Sequence, residues 1–110
     1  RGKHYMIVDN WDGLGVYSSD DMKNWMRQKN NLLQGGGNGV DDGTQGQHCD
    51  VVVSGDRAYL FYFTHPGRQG VAAKEDTKET RRSSLQVVEL RLRNGEIFCE
   101  RDKPVYINLN

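Results

Sequence analysis

A chain of 110 residues suffices for one small domain with a modest core. Fifteen basic and fifteen acidic residues are interspersed and give a formal net charge of zero, which removes the positive footprint of a nucleic-acid binder. No apolar run approaches the roughly 20 residues of a membrane-spanning helix, so neither nucleic acid nor membrane is an expected partner.

The chain opens at Arg1 rather than Met and shows no leader pattern, which reads as a processed, cut or engineered start. Tyr5-Met6-Ile7-Val8 is a short apolar run, and Leu14-Gly15-Val16-Tyr17 follows the turn dipeptide Asp12-Gly13; both predict strands. Residues 20–26 carry the helical hint, with Met22, Trp25 and Met26 at helical spacing and Ser18 or Ser19 as a cap, and predict a single turn. Residues 34–47 hold six glycines in fourteen positions and predict an ordered or mobile loop. Val51-Val52-Val53, the turn Ser54-Gly55-Asp56 and the aromatic run Tyr59-Leu60-Phe61-Tyr62-Phe63 read as strand, turn and strand. Residues 66–83 are polar and charged, and loops this long inside a compact domain are usually functional or disordered. A strand is predicted over 85–92, with Val88, Leu90 and Leu92 on one side; on the other, Leu85 and Val87 give way to Glu89 and Arg91. Asn94-Gly95 is a hairpin signal leading into Ile97-Phe98-Cys99, and Val105, Ile107 and Leu109 alternate with polar or amphipathic neighbours to the end.

Runs that are apolar on both faces need cover on both faces, which stacked sheets supply. The fold class is therefore all-β and antiparallel, with no helix longer than about two turns. No linker divides residues 1–110, which read as one unit. Cys49 and Cys99 are too few for a disulfide scaffold and lack zinc spacing; they read as two free, mostly buried thiols.

Gly2-Lys3-His4-Tyr5-Met6-Ile7-Val8-Asp9, followed by Gly13-Leu14-Gly15-Val16-Tyr17, resembles two adjacent strands of a five-bladed β-propeller glycosidase. Ser19-Asp20-Asp21-Met22-Lys23-Asn24-Trp25 is similar to the S-D-D-L-K-N-W turn of glycoside hydrolase family 43, with Met22 where Leu is usual. Gly46-Gln47-His48-Cys49-Asp50-Val51-Val52-Val53 resembles the innermost strand of the next blade, Tyr59-Leu60-Phe61-Tyr62-Phe63 its second strand, and Ser83-Ser84-Leu85-Gln86-Val87-Val88-Glu89-Leu90 its third. Arg101-Asp102-Lys103-Pro104-Val105 is similar to the way such domains finish, and the segments around His48 and Ser84 look closer to the agar-degrading family 117. The resemblance implies that residues 1–110 are the C-terminal part of a single propeller domain, about one and a half blades, incomplete alone. It implies a glycosidase of plant or algal polysaccharides, secreted or periplasmic, with the remaining blades supplied upstream or by another chain. The family's general base is an aspartate on the first blade, and no residue here takes that position. A divalent cation such as calcium has room in the complete enzyme, and a homo-oligomer is compatible with the uncovered faces.

Within that frame, His48 is the catalytic candidate: it opens an innermost strand after a glycine-rich approach, where an imidazole can donate to a sugar hydroxyl, act as an acid or help hold a metal-bound water; the alternative is a histidine satisfied by a turn carbonyl. Asp50, two residues on, shares its face and can orient the ring or bind a hydroxyl; the alternative is a carboxylate bonded to loop amides. Trp11 suits the apolar face of a pyranose and Asp12 its hydroxyls, or else Trp11 packs between blades and Asp12-Gly13 is a turn. His65, Arg68, Arg81 and Arg82 stand at the ends of the polar loop as donors for an anionic or hydroxylated sugar, the alternative for Arg81-Arg82 being a solvated basic pair. Asp41 and Asp42 lack calcium-loop spacing and read as a solvated turn, and Trp25 reads as structural. A non-catalytic carbohydrate-binding or structural propeller domain is the alternative function; a small sandwich that binds a partner is a third.

Overall fold

The structure is a computed structural model that describes residues 2–109, the side chains of 71 and 72 excepted. Among the described residues, strands β1 (His4–Asp9), β2 (Leu14–Ser19) and β3 (Met26–Arg27) form one antiparallel sheet in that order. Strands β4 (Gln47–Ser54), β5 (Arg57–Thr64), β6 (Ser84–Arg93) and β7 (Glu96–Cys99) form a second, also an antiparallel meander. The turns are where the glycines demanded them. Gly13 has φ +81°, and a Cβ there would stand 2.5 Å from the carbonyl oxygen of Leu32. Asn94 and Gly95, at φ +52° and +81°, are both left-handed, as a two-residue type I′ hairpin requires.

The helical turn expected over residues 20–26 does not form. Ser19 Oγ accepts the amides of Asp21 at 3.2 Å and Met22 at 2.8 Å, and Asp21 Oδ1 accepts those of Lys23 and Asn24, both at 2.8 Å. Ser19 caps as a helix start would, but Asp21 takes the Lys23 and Asn24 amides that a helix would bond to backbone carbonyls, and Met22 at φ +62° leaves the helical region. Amide donation from Asn24 and Lys23 holds the Asp21 carboxyl far below the usual carboxylate range. The chain then runs extended, and Met26–Arg27 pairs with β2. Nor does the alternation over 105–109 make a strand; Asn108 instead donates its amide to the Tyr59 hydroxyl at 3.2 Å. Alternation specifies a face, and a strand also needs an edge to pair with. The polar segment 66–83 is ordered by a 3-10 turn (Gly70–Lys74) and the one-turn helix α1 (Lys78–Arg81), whose first amides are capped by Thr77 and Thr80 in a reciprocal box.

The core lies between the sheets. Leu14 and Val16 of β2 meet Leu60 and Tyr62 of β5 and Val88 of β6, with Leu32 and Leu33 filling in from the connection. Full burial of such a side chain contributes roughly 2 kcal/mol, and the cluster is small for the length of the chain. Polar stitches supplement it: Tyr5 donates to the Gly95 carbonyl at 3.0 Å, and the Gln28 amide makes both hydrogen bonds to the Ile97 backbone at 2.8 Å. Both cysteines are free and flank the core, and burial pushes the Cys99 thiol up to about 11.

Asp42 is not the solvated turn residue that the sequence suggested. Its side chain is 5% exposed and takes both nitrogens of the Arg101 fork, at 2.8 and 3.1 Å, together with the Tyr62 hydroxyl at 3.0 Å. The Arg101 side chain, 10% exposed, also donates to the carbonyls of Gly35, at 2.8 Å, and Thr44. Burial, followed by the charge of Asp42, raises the Tyr62 phenol well above its ordinary range. The next residue, Asp102, accepts the backbone and side-chain amides of Asn38 at 2.7 and 3.1 Å. The glycine-rich loop is thus ordered, pinned from the far end of the chain.

Arg101→Ala leaves the Asp42 charge buried without its cation, so urea unfolding should show a loss of about 3 kcal/mol or more. A loss below about 1 kcal/mol would mean that the pair is no anchor.

Candidate functional site

The site is built at one end of the second sheet, where β4 starts, β5 ends and the β1–β2 turn approaches. His48 has no cross-strand partner: Gln47 faces Phe63, Cys49 faces Tyr62, and His48 is the extra residue between them. Such a bulge bends a strand and re-aims the side chain it carries. His48 adopts φ +38°, a left-handed backbone that costs a non-glycine residue roughly 1–2 kcal/mol. Its ring stacks on Phe63, with centroids 5.2 Å apart and planes at 22°, and the side chain is 66% exposed. His65 meets the same Phe63 edge-on at 5.2 Å. Its Nδ1 lies 3.0 Å from the Arg82 carbonyl, which can only accept, so Nδ1 carries a proton and Nε2 is turned away from that bond.

Asp9, at the end of β1, faces His48 across the gap between the sheets. Its Oδ2 accepts the His48 amide at 3.1 Å and stands 3.6 Å from Nε2 of the ring, while Oδ1 accepts the Trp11 amide at 3.0 Å. Asp50 is exposed and accepts the amide of Val51 at 3.0 Å. It pairs opposite Phe61 and so lies on the sheet face that carries Phe63 and the His48 ring.

Beside this array is an open hollow of about 540 Å³, walled by Asp12, Thr44, Gln45, Gln47, His65 and Arg68. Glycines form part of its lining: a Cβ on Gly36 would overlap the carbonyl of Gly43. Thr44 Oγ1 is buried and makes no hydrogen bond among the described residues. Asp12 accepts the Gln34 amide at 2.8 Å, and Arg68 is steadied by a 2.7 Å bond from Nε to the Thr80 carbonyl. Trp11, at the adjoining turn, is 77% exposed, and Trp25 is half-buried.

The structure therefore brings Asp12, His65 and Arg68 to one hollow and sets His48 next to it through Phe63 and Gln47. Arg81 stands elsewhere: it is bound two-fold to Asp76 at 2.7 Å on the wall of a separate crevice. Arg82 ties Asp41 to Glu79, at 3.2 and 2.9 Å, and so fastens the polar segment to the glycine loop. Among the described residues no three His, Cys, Asp or Glu side chains gather as a metal-binding group. Sequence reasoning missed Asp9 and Phe63. Asp9 reaches its partner across 39 residues, and Phe63 looked like one more apolar strand position. Chemically the set offers an imidazole beside a carboxylate and a wall of amide, guanidinium and carboxylate groups suited to a hydroxylated ligand. Comparison with known proteins finds no matching family model and no curated protein that matches.

The backbone strain at His48 gives a direct check on the site's construction. Both His48→Gly and His48→Ala remove the ring, and the glycine variant should be the more stable by about 1 kcal/mol in chemical denaturation, because it alone relieves the positive φ. Equal stability of the two would remove the strained bulge from the account.

Proposed function

We propose that this chain is the C-terminal part of a five-bladed β-propeller glycoside hydrolase, acting on plant or algal polysaccharides or their oligosaccharides outside the cytoplasm. The observation that carries the reading is the presentation of His48: a strained bulge at the start of an edge strand holds an exposed imidazole, a carboxylate beside it and a polar hollow adjoining. In this reading the protonated His48 ring gives its proton to the departing glycosidic oxygen, while a carboxylate from another part of the complete protein accepts a proton from the attacking water. Asp12, His65 and Arg68 bind hydroxyls in the hollow, and Asp50 and Trp11 extend the surface on either side. The sheets themselves support membership of a larger β-assembly: Leu85 is 75% exposed and Val53 70%, apolar positions that neighbouring blades would cover.

A second reading, a carbohydrate-binding domain without catalysis, is favoured by one observation, the bare indole of Trp11 next in sequence to Asp12, which lines the hollow. Both readings require saccharide contact. Chemical-shift mapping of the labelled chain with agar-, arabinan- and xylan-derived oligosaccharides should show perturbation at the Trp11, His48 and His65 rings; if no saccharide perturbs these rings, both fail. In a longer chain that turns over substrate, His48→Gln should lower kcat at least about tenfold with an unchanged melting temperature. Wild-type turnover in that variant would leave only the binding reading.

A further inference from the structure

Among the described residues Asp9 is the one carboxylate within ion-pair distance of the His48 imidazole, and its two oxygens each accept a backbone amide. Oδ1 is fixed by the Trp11 amide at 3.0 Å, so the carboxylate cannot rotate freely. Oδ2 accepts the amide of His48 itself at 3.1 Å, which ties the bulge in β4 to the end of β1 on the other sheet. The same oxygen stands 3.6 Å from His48 Nε2, too long for a hydrogen bond but close enough for charge attraction. The Asp9 side chain is 18% exposed, so this attraction is less screened than that of a surface pair. The remaining constraint on the ring is Phe63, stacked below it at 5.2 Å, which sets the plane but not the edge that faces the carboxylate.

We propose that Asp9 is the positioning residue of His48: one carboxylate holds the bulge that presents the imidazole and selects the ring nitrogen that carries the proton. The consequence is a fixed tautomer. In the neutral ring the proton sits on Nε2, toward Asp9, and Nδ1 is left as the free lone pair facing outward. When the ring takes a second proton, that proton enters at Nδ1, on the side away from Asp9, where a bound ligand would meet it. The direction of proton delivery is thus set by a residue on the neighbouring sheet. The catalytic consequence rests on the function proposed above; the structural claim does not.

The test needs no substrate. In the full chain labelled with ¹⁵N-histidine, ring-nitrogen chemical shifts at a pH where His48 is neutral should show the Nε2–H form favoured at His48 by about tenfold beyond the ratio of free histidine. A free-histidine ratio, or a predominant Nδ1–H form, in the unmodified chain would overturn the proposal, whatever any variant does. Asp9→Asn removes the charge and keeps one oxygen acceptor, enough for the Trp11 or the His48 amide but not for both, so protection of the His48 amide is read alongside the tautomer. In that variant, with the His48–Phe63 contacts retained, the tautomer ratio should fall to within about threefold of free histidine. Asp9→Ala should give the same loss together with weakened protection of the His48 amide. An unchanged ratio in folded Asp9→Asn would show that Asp9 holds the backbone only. Absence of glycosidase activity would leave these outcomes unaltered, so the two claims fail separately.

Discussion

The glycine-rich wall of the candidate site depends on one buried ion pair. Asp42 and Arg101 are 59 residues apart in sequence, and their contact closes the glycine-rich loop against the second sheet. The guanidinium satisfies a carboxylate and loop carbonyls at once, while Tyr62 reaches the same carboxylate from within the core. Taking two charges out of water is expensive, and what makes it tolerable here is that Asp42 and Arg101 are both saturated by hydrogen bonds. The same contact leaves Gln45 and Gln47 standing in the wall of the hollow and delivers the chain to the bulge at His48.

The site is thus prepared before any ligand arrives, at a cost in backbone strain. Trp11, Asp41 and His48 all adopt positive φ, and none is glycine. Such conformations persist only where surrounding contacts over-determine them. Those contacts can be named: the Asp9 carboxylate holds the amides of Trp11 and His48, while Thr64 and Arg82 hold Asp41. Strain at two loop positions and one strand bulge, each held by a specific polar partner, fits a surface arranged for recognition better than one arranged for stability.

The strands were legible in the sequence because their signals are local. Asp12-Gly13, Ser54-Gly55-Asp56 and Asn94-Gly95 mark turns by backbone requirement, and the apolar runs between them have no alternative but sheet. The errors arose where a local pattern met a stronger local or distant partner. Met22, Trp25 and Met26 have helical spacing, yet Ser19 and Asp21 bind the amides first. Val105, Ile107 and Leu109 alternate as a strand would, but they pair with neither sheet. Asp42 looked like a turn residue because nothing near it in sequence reveals Arg101. Of the site, His48, Asp12, His65 and Arg68 could be picked out by residue type and by their place beside glycine or at loop ends. Asp9 and Phe63 could not, since their part is defined only once β1 and β5 have brought them to β4.

The central claim is that the buried pair keeps the glycine loop closed and the site preformed in the free chain, and native-state amide hydrogen exchange tests it most directly. The amides of Gly37, Asp42 and Gly46 donate to Asp42, Gly39 and Leu33 carbonyls at 2.7, 3.2 and 3.0 Å, in a segment that without Arg101 would be an open glycine tract. The account predicts protection of these three amides approaching that of the central strand β5, lost together when Arg101 is replaced. Exchange of all three at the rate of an unstructured peptide, in a chain whose β5 is protected, would contradict it.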